Sequence, residues 1–468
     1  MVCAAPFSWA QESHDKNKDP QTGPHTELEI NVDVALKGKP NAPIEVGEHR
    51  SEALDGQFAL DIQMPETSCP KDEKLTRLIQ ACMKKEPSPI GNIVIDPGHF
   101  RGSTSDRSDS SGQANDNIHE GNLNMAVVLM TKQLLERCYD SGSRVKLLRH
   151  PWDTEFGQFH NEALAKSTLE KYEAPKGLRR NTIASLYAGD RYQRKAYARF
   201  LLGNGSDELE EKSSFWQIHA NQSYSTMEFA HNGRTRKERR LTDHTLGLYY
   251  SKYSEATDRA ATSQVVAPIL DEMTQTHSVI RAALEAKVAE QAEGSLERAR
   301  AQARLDYFNR DVTHQKDGGF SRSEGRPLGM VNRNDGHLNG SPIWKGLKSS
   351  VGIVEGLYMN GYVGKLASRE VVENDARVRE STKAWKAAQE SGDQEAIAKS
   401  ASELKDVYQS SMVQVRERVY SAKEGKWVTR RRIGYHAPSP YVNYAKGLAR
   451  GMVNGYKERC EKAGVNAG

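Results

Sequence analysis

The chain has 468 residues, 27% of them charged and 37% hydrophobic, which is enough for a large core and predicts two or more structural units. Its formal net charge of +4 is small, and no concentrated basic face with a reader motif accompanies it, so nucleic acid is not an expected partner. No run of eighteen apolar residues exists, which leaves out a transmembrane helix.

The N-terminus places Ser8 and Ala10 at the −3 and −1 spacing that a signal peptidase prefers. Residues 1–10 therefore read as the remnant of an export signal, and a periplasmic or secreted protein is expected. Removing them takes Cys3 and leaves Cys69, Cys82, Cys138 and Cys460, an even number with no C-x-x-C pair. Two disulfides suit an oxidising compartment, and the pairing expected is Cys69–Cys82 with Cys138–Cys460. Residues 11–89 read as a flexible arm, polar and rich in Pro, Asn, Asp and Lys to about residue 60, with a short helix at 72–84.

From residue 90 short strands alternate with helices. Strands are expected at 92–96, 144–149, 214–219, 246–250 and 351–354. Helices are expected at 120–138, 181–201 and 441–460. This pattern predicts an α/β fold: a mixed, largely parallel sheet with helices on both faces, spanning 90–468. Two Ala-rich, charged blocks, at about 256–310 and 366–423, read as helical insertions. The second breaks near Ser391-Gly392-Asp393, as a helical hairpin would.

The chemistry-bearing residues stand at strand ends, where α/β sheets build their sites. Ile93-Val94-Ile95-Asp96-Pro97-Gly98 delivers His99, Phe215-Trp216-Gln217-Ile218 delivers His219, and Val351-Gly352-Ile353-Val354 delivers Glu355. Catalytic zinc takes three protein ligands, typically His and a carboxylate, and keeps one position open. His99 and His219 supply two. Glu120, leading the first helix, is the favoured third, with His119 beside it as a competitor. Glu355 is then the candidate general base, taking a proton from water and passing it to a leaving amine. Arg149, Arg194 and Asn221 are candidate substrate contacts, an arginine suiting a carboxylate-bearing peptide. A structural ion pair or loop hydrogen bond is an equal reading of these three.

Taken together these motifs resemble the zinc-dependent N-acetylmuramoyl-L-alanine amidases of the cell-division and sporulation type. The resemblance rests on Asp96-Pro97-Gly98-His99, on Glu120 with Leu123 and Asn124, and on Leu148-Arg149 with Asp153. It continues through Gln217-Ile218-His219-Ala220-Asn221, Val354-Glu355-Gly356 to Asn360, and a closing Ala/Gly/Tyr helix from Tyr444 to Tyr456. It departs from the family at Phe100-Arg101-Gly102, at Gln217 where Ser is common, and at Gly352-Ile353.

The resemblance implies one Zn2+ held by His99, Glu120 and His219, with Glu355 as catalytic acid/base. It implies peptidoglycan as substrate, cut between N-acetylmuramic acid and L-alanine. Some relatives carry an inserted helix that plugs the zinc site until an activator protein displaces it. Here Asp271, Glu272 and Glu285 of the 256–310 block are the acidic candidates for such a plug. The rival readings are a zinc peptidase or amidohydrolase of different specificity, and a blocked peptidoglycan-binding or regulatory module.

Overall fold

The computed structural model describes residues 44–45, 58–98, 118, 120–148, 198–199, 201–203, 206–220, 224–241, 246–250, 264–313, 329–333, 348–356, 361–421 and 424–466. Its elements, in chain order, are β1 (Ile44–Glu45), β2 (Phe58–Gln63), α1 (Glu73–Lys84), β3 (Ile93–Pro97), α2 (Glu120–Tyr139), β4 (Val145–Leu147), α3 (Asp207–Glu211), β5 (Ser214–Ala220), β6 (Tyr224–His231), β7 (Arg234–Leu241) and β8 (Leu246–Tyr250). There follow α4 (Val266–Glu272), α5 (Thr274–Ala289), α6 (Leu296–Thr313), β9 (Gly329–Arg333), β10 (Ser350–Gly356), α7 (Tyr362–Ser391), α8 (Gln394–Ser411), β11 (Met412–Ser421), β12 (Lys426–His436), α9 (Ser439–Asn454) and α10 (Lys457–Lys462).

The fold is mixed α/β, as the alternation predicts. Six strands form the principal sheet in the order β4-β3-β5-β10-β8-β9. The first four run parallel, and β8 turns against β10 with β9 parallel to β8. All of β3 and nearly all of β5 are buried, which explains their unbroken apolar character: a parallel strand covered on both faces has no solvent side to mark.

A second, antiparallel sheet, β1-β12-β11-β2, lies on the far side of α2. Helix α2 touches β3, β4 and β5 of one sheet and β2, β11 and β12 of the other. Sixteen of its twenty residues are buried, so it has almost no solvent-facing stripe. Helix α9 packs along α2 and α4, and Gly447 and Gly451 allow that approach to α4, since a Cβ at either would fall within 2.6 Å of the Ile269 or Val265 backbone.

The second sheet corrects two expectations. Residues 58–84 are no flexible arm: β2 pairs with β11, and α1 buries Leu75, Leu78, Ile79, Cys82 and Met83 in the main core. The 366–423 block is helical only to Ser411. The hairpin turn falls where Ser391-Gly392-Asp393 places it, with Gly392 at φ +72° and Asp393 capping α8. Beyond it, Met412–Ser421 is a strand, because Val413 and Val415 alternate with polar neighbours and face the core.

The disulfides join Cys69 to Cys138 and Cys82 to Cys460, not Cys69 to Cys82. Both cross-links therefore tie the segment before β3 to distant parts of the body. The tertiary fold sets this pairing: Cys69 and Cys138 stand 5.7 Å apart between Cα atoms, and Cys82 and Cys460 5.8 Å, although they are 69 and 378 positions apart in the chain.

The 256–310 block contributes α4, α5 and most of α6. Of the acidic candidates in this block, Asp271 and Glu272 both face Arg450, at 3.4 and 3.6 Å, and Glu272 also lies 3.4 Å from Lys446. Glu285 is exposed on α5.

His277 of α5 is buried against Phe308 of α6, which in turn meets Tyr362 of α7 edge-on. Burial, with a smaller push from Arg281, lowers its pKa from 6.5 to about 4. The unfolded chain therefore takes up a proton at this position that the folded chain refuses. Its contribution to stability is complete above the unfolded pKa and declines as pH falls through this window, by about 3 kcal/mol in all. Urea unfolding at pH 7 and pH 4.5 should show the loss, and His277→Phe should lose distinctly less. Equal losses in the two proteins would refute this role for His277.

Candidate functional site at the carboxyl end of the sheet

Three parallel strands bring the site together. The register sets Asp96 of β3 beside Gln217 of β5, and His219 of β5 beside Glu355 of β10. Paired residues on neighbouring strands share a face, so the register alone gathers these positions at one edge of the sheet.

Glu120 reaches this edge from the first turn of α2. It is 1% exposed, and its Oε1 accepts the Ala220 backbone N–H at 3.1 Å while standing 3.4 Å from His219 Nδ1. A carboxylate at a helix N-terminus is favoured by the helix dipole, which offsets part of the cost of burying it. Among the described residues, then, Glu120 and His219 come together and Glu355 occupies the adjoining register position. His99, Arg149, Arg194 and Asn221 lie outside the described residues, as does the competitor His119.

The sequence shows the residues that hold this edge in place but not what each of them touches. Asn124, one turn along α2 from Glu120 and fully buried, donates from Nδ2 to the Gly98 carbonyl at 2.7 Å. The Gly98 amide donates to the Ile218 carbonyl, also at 2.7 Å. Gly98 is pressed against the imidazole of His219, and a Cβ there would fall 2.4–2.6 Å from three ring atoms. Gln217 Nε2 donates to Asp96 Oδ2 at 3.0 Å, which gives the departure at 217 a purpose: the longer amide spans between strands. Gly356, which follows Glu355, is similarly pressed, against the Tyr444 phenol of α9. The Asp-Pro-Gly motif and the helical spacing of Glu120 and Asn124 were visible signals. The partner of each residue was not.

A buried carboxylate set against an imidazole offers two donors of the kinds zinc takes, and the missing side chain at Gly98 lets the imidazole pack directly on the end of β3. Among the described residues no cluster of three or more His, Cys, Asp or Glu forms a full donor set.

No protein-family model matches the chain, and no curated protein matches it. Among solved structures, the CwlD amidase from Clostridioides difficile in complex with the GerS lipoprotein is similar at 12% identity. The match covers 61% of this chain and 91% of that one, with a TM-score of 0.26, too loose a superposition to argue from.

Proposed function

We propose that the protein is a zinc-dependent hydrolase of peptidoglycan, cutting the amide between N-acetylmuramic acid and L-alanine, in the periplasm or outside the cell. The observation that supports it most is the buried Glu120 carboxylate held against His219 at the carboxyl end of β5, with Glu355 next in register. The motifs shared with the amidase family, read on the residues above, supply the substrate. Two disulfides are in keeping with an oxidising compartment, and no described helix is long and apolar enough to cross a membrane.

In this reading His99, Glu120 and His219 hold one Zn2+. When bound, the ion supplies a Lewis acid that polarises the scissile carbonyl and acidifies water. Glu355 accepts the proton of the attacking water and returns it to the departing L-alanine nitrogen. The Ala220 N–H holds the Glu120 carboxylate against the end of β5. Asn124 and Gln217 hold the ends of β3 and β5 in register. Arg149, Arg194 and Asn221 are proposed to contact the stem peptide. An activator protein acting on the α4–α6 segment is a proposed partner.

Denuded peptidoglycan incubated with the protein should release stem peptides that begin with L-alanine. Release should stop with a chelator, return with zinc, and be absent in Glu355→Ala. Products cut at any other bond would replace this specificity with that of a different zinc peptidase.

Gly98→Ala gives a sharper check of the geometry. The added methyl displaces the His219 ring, so hydrolysis should fall roughly a hundredfold, as for a misplacement near 1 Å, while the thermal midpoint changes little. Wild-type turnover in this variant would show that His219 does not need its present position.

A further inference from the structure

Between the strand that carries His219 and the strand that flanks Glu355, the chain makes an excursion that the chemistry above does not use. β6 and β7 form a two-stranded sheet of their own, joined at Asn232-Gly233, both with positive φ. We propose that this hairpin is a wall-binding arm that grips the carboxylates of stem peptides next to the one being cut. The inference rests on the peptidoglycan reading and names the part of the polymer the site engages beyond the scissile bond.

Position is the first argument. Ala220, Gly356 and Leu246 stand in one row across the principal sheet. The hairpin leaves from Ala220 and returns to Leu246. Four residue steps separate Ala220 from Tyr224 and five separate Leu241 from Leu246, spans of at most roughly 14 and 18 Å. Both feet of the arm are thus tethered at the edge where Glu120 meets His219.

Charge is the second. β7 reads Arg-Thr-Arg-Lys-Glu-Arg-Arg-Leu, five basic residues in eight. Arg234, Arg236, Lys237 and Arg239 are exposed. Lys237 pairs with the exposed Glu228 at 2.7 Å, whereas Arg234 and Arg236 have no ion-pair partner among the described residues. Exposed guanidinium groups match carboxylates with two parallel hydrogen bonds.

Anchoring is the third, and it distinguishes an arm from a solvated loop. The opposite strand buries Met227 and Phe229 against Ala303, Leu296, Ala299 and Tyr307 of α6. Arg300 of α6 donates to both carboxylate oxygens of Glu238 at 2.9 Å. Helix α6 in turn buries Ala301, Leu305 and Phe308 in the main core. The basic strand is therefore presented on a rigid support, so little conformational entropy is lost when it binds. Nucleic acid is the less favoured polyanion, because the basic strand β7 itself carries no aromatic residue among its cations.

The test is co-sedimentation of the full-length protein with purified sacculi across a salt series, beside hydrolysis of a soluble muramoyl peptide. The double variant Arg234→Glu, Arg236→Glu should bind sacculi roughly tenfold more weakly at low salt and show a flatter salt dependence. It should cut the soluble substrate at the wild-type rate. Sacculi whose carboxyls have been amidated should lose wild-type binding to the same degree. Unchanged binding by the double variant, or full wild-type binding to amidated sacculi, would overturn the proposal. So would tighter binding to a single-stranded oligonucleotide than to sacculi at equal salt. Failure to cut the soluble substrate in the wild type would instead count against the amidase reading, and leaves the sedimentation result to judge the arm by itself.

Discussion

On the proposed zinc-hydrolase reading, Glu120→Gln should yield a folded protein that binds no metal and has no activity. The glutamine keeps the shape and can still accept the Ala220 N–H through its carbonyl oxygen, so the start of α2 keeps its tie to β5. What disappears is the negative charge beside His219. A neutral amide is a poor zinc donor next to an imidazole, and the helix dipole no longer finds a charge to stabilise. Zinc content should drop at least roughly tenfold, and hydrolysis by roughly a thousandfold, since both the Lewis acid and the acidified water depend on the ion. Metal analysis alongside circular dichroism would decide it. A variant that retains one zinc per chain and near-normal turnover would remove Glu120 from the donor set and bring His119 forward.

Breaking Cys82–Cys460 should cost as much stability as a severe large-to-small substitution in the core. This cross-link joins α1 to α10 and closes a loop of 378 residues, so it restricts the unfolded chain far more than the folded one. Cys82→Ser with Cys460→Ser should lose about 4 kcal/mol, seen as a fall of roughly 4 °C in the thermal midpoint. Both sulfur positions are fully buried in the main core, so two lost packing contacts add to the effect. Calorimetry of the wild type with and without reductant should show a shift of the same sign. An unchanged midpoint in both experiments would mean that the cross-link does not form in the purified protein.

Much of the site was legible because its parts are local. An apolar run that ends in Asp96-Pro97-Gly98 announces a strand and its turn without reference to anything distant. The same holds for Ser214–Ala220 before its turn and for Leu246–Tyr250, whose bounds agree with expectation. Helix α2 starts at Glu120 as read. Other elements were hidden by composition. Phe58, Leu60 and Ile62 alternate with Ala59, Asp61 and Gln63 as a strand should, but they sit in a polar stretch whose overall character argues for an arm. Met412–Ser421 was likewise absorbed into the charged helical block before it. The β6–β7 hairpin carries a strong short signal, Asn232-Gly233 between two extended runs, but the charge-rich second strand has no apolar alternation to mark it.

By itself the sequence determined the α/β class, the strand ends and the residue types offered at them, because periodicity and turn chemistry act over a few neighbours. The tertiary structure alone decided which of those residues meet. Glu120 and His219 are 99 positions apart, and Asp96 and Gln217 are 121 apart. The cysteines pair across 69 and 378 positions, in place of the expected Cys69–Cys82 and Cys138–Cys460. Such contacts leave no periodic trace in the chain. They exist because α2 is enclosed between two sheets, which brings its first turn onto the end of β5, and because β2 and α1 are drawn into the same core.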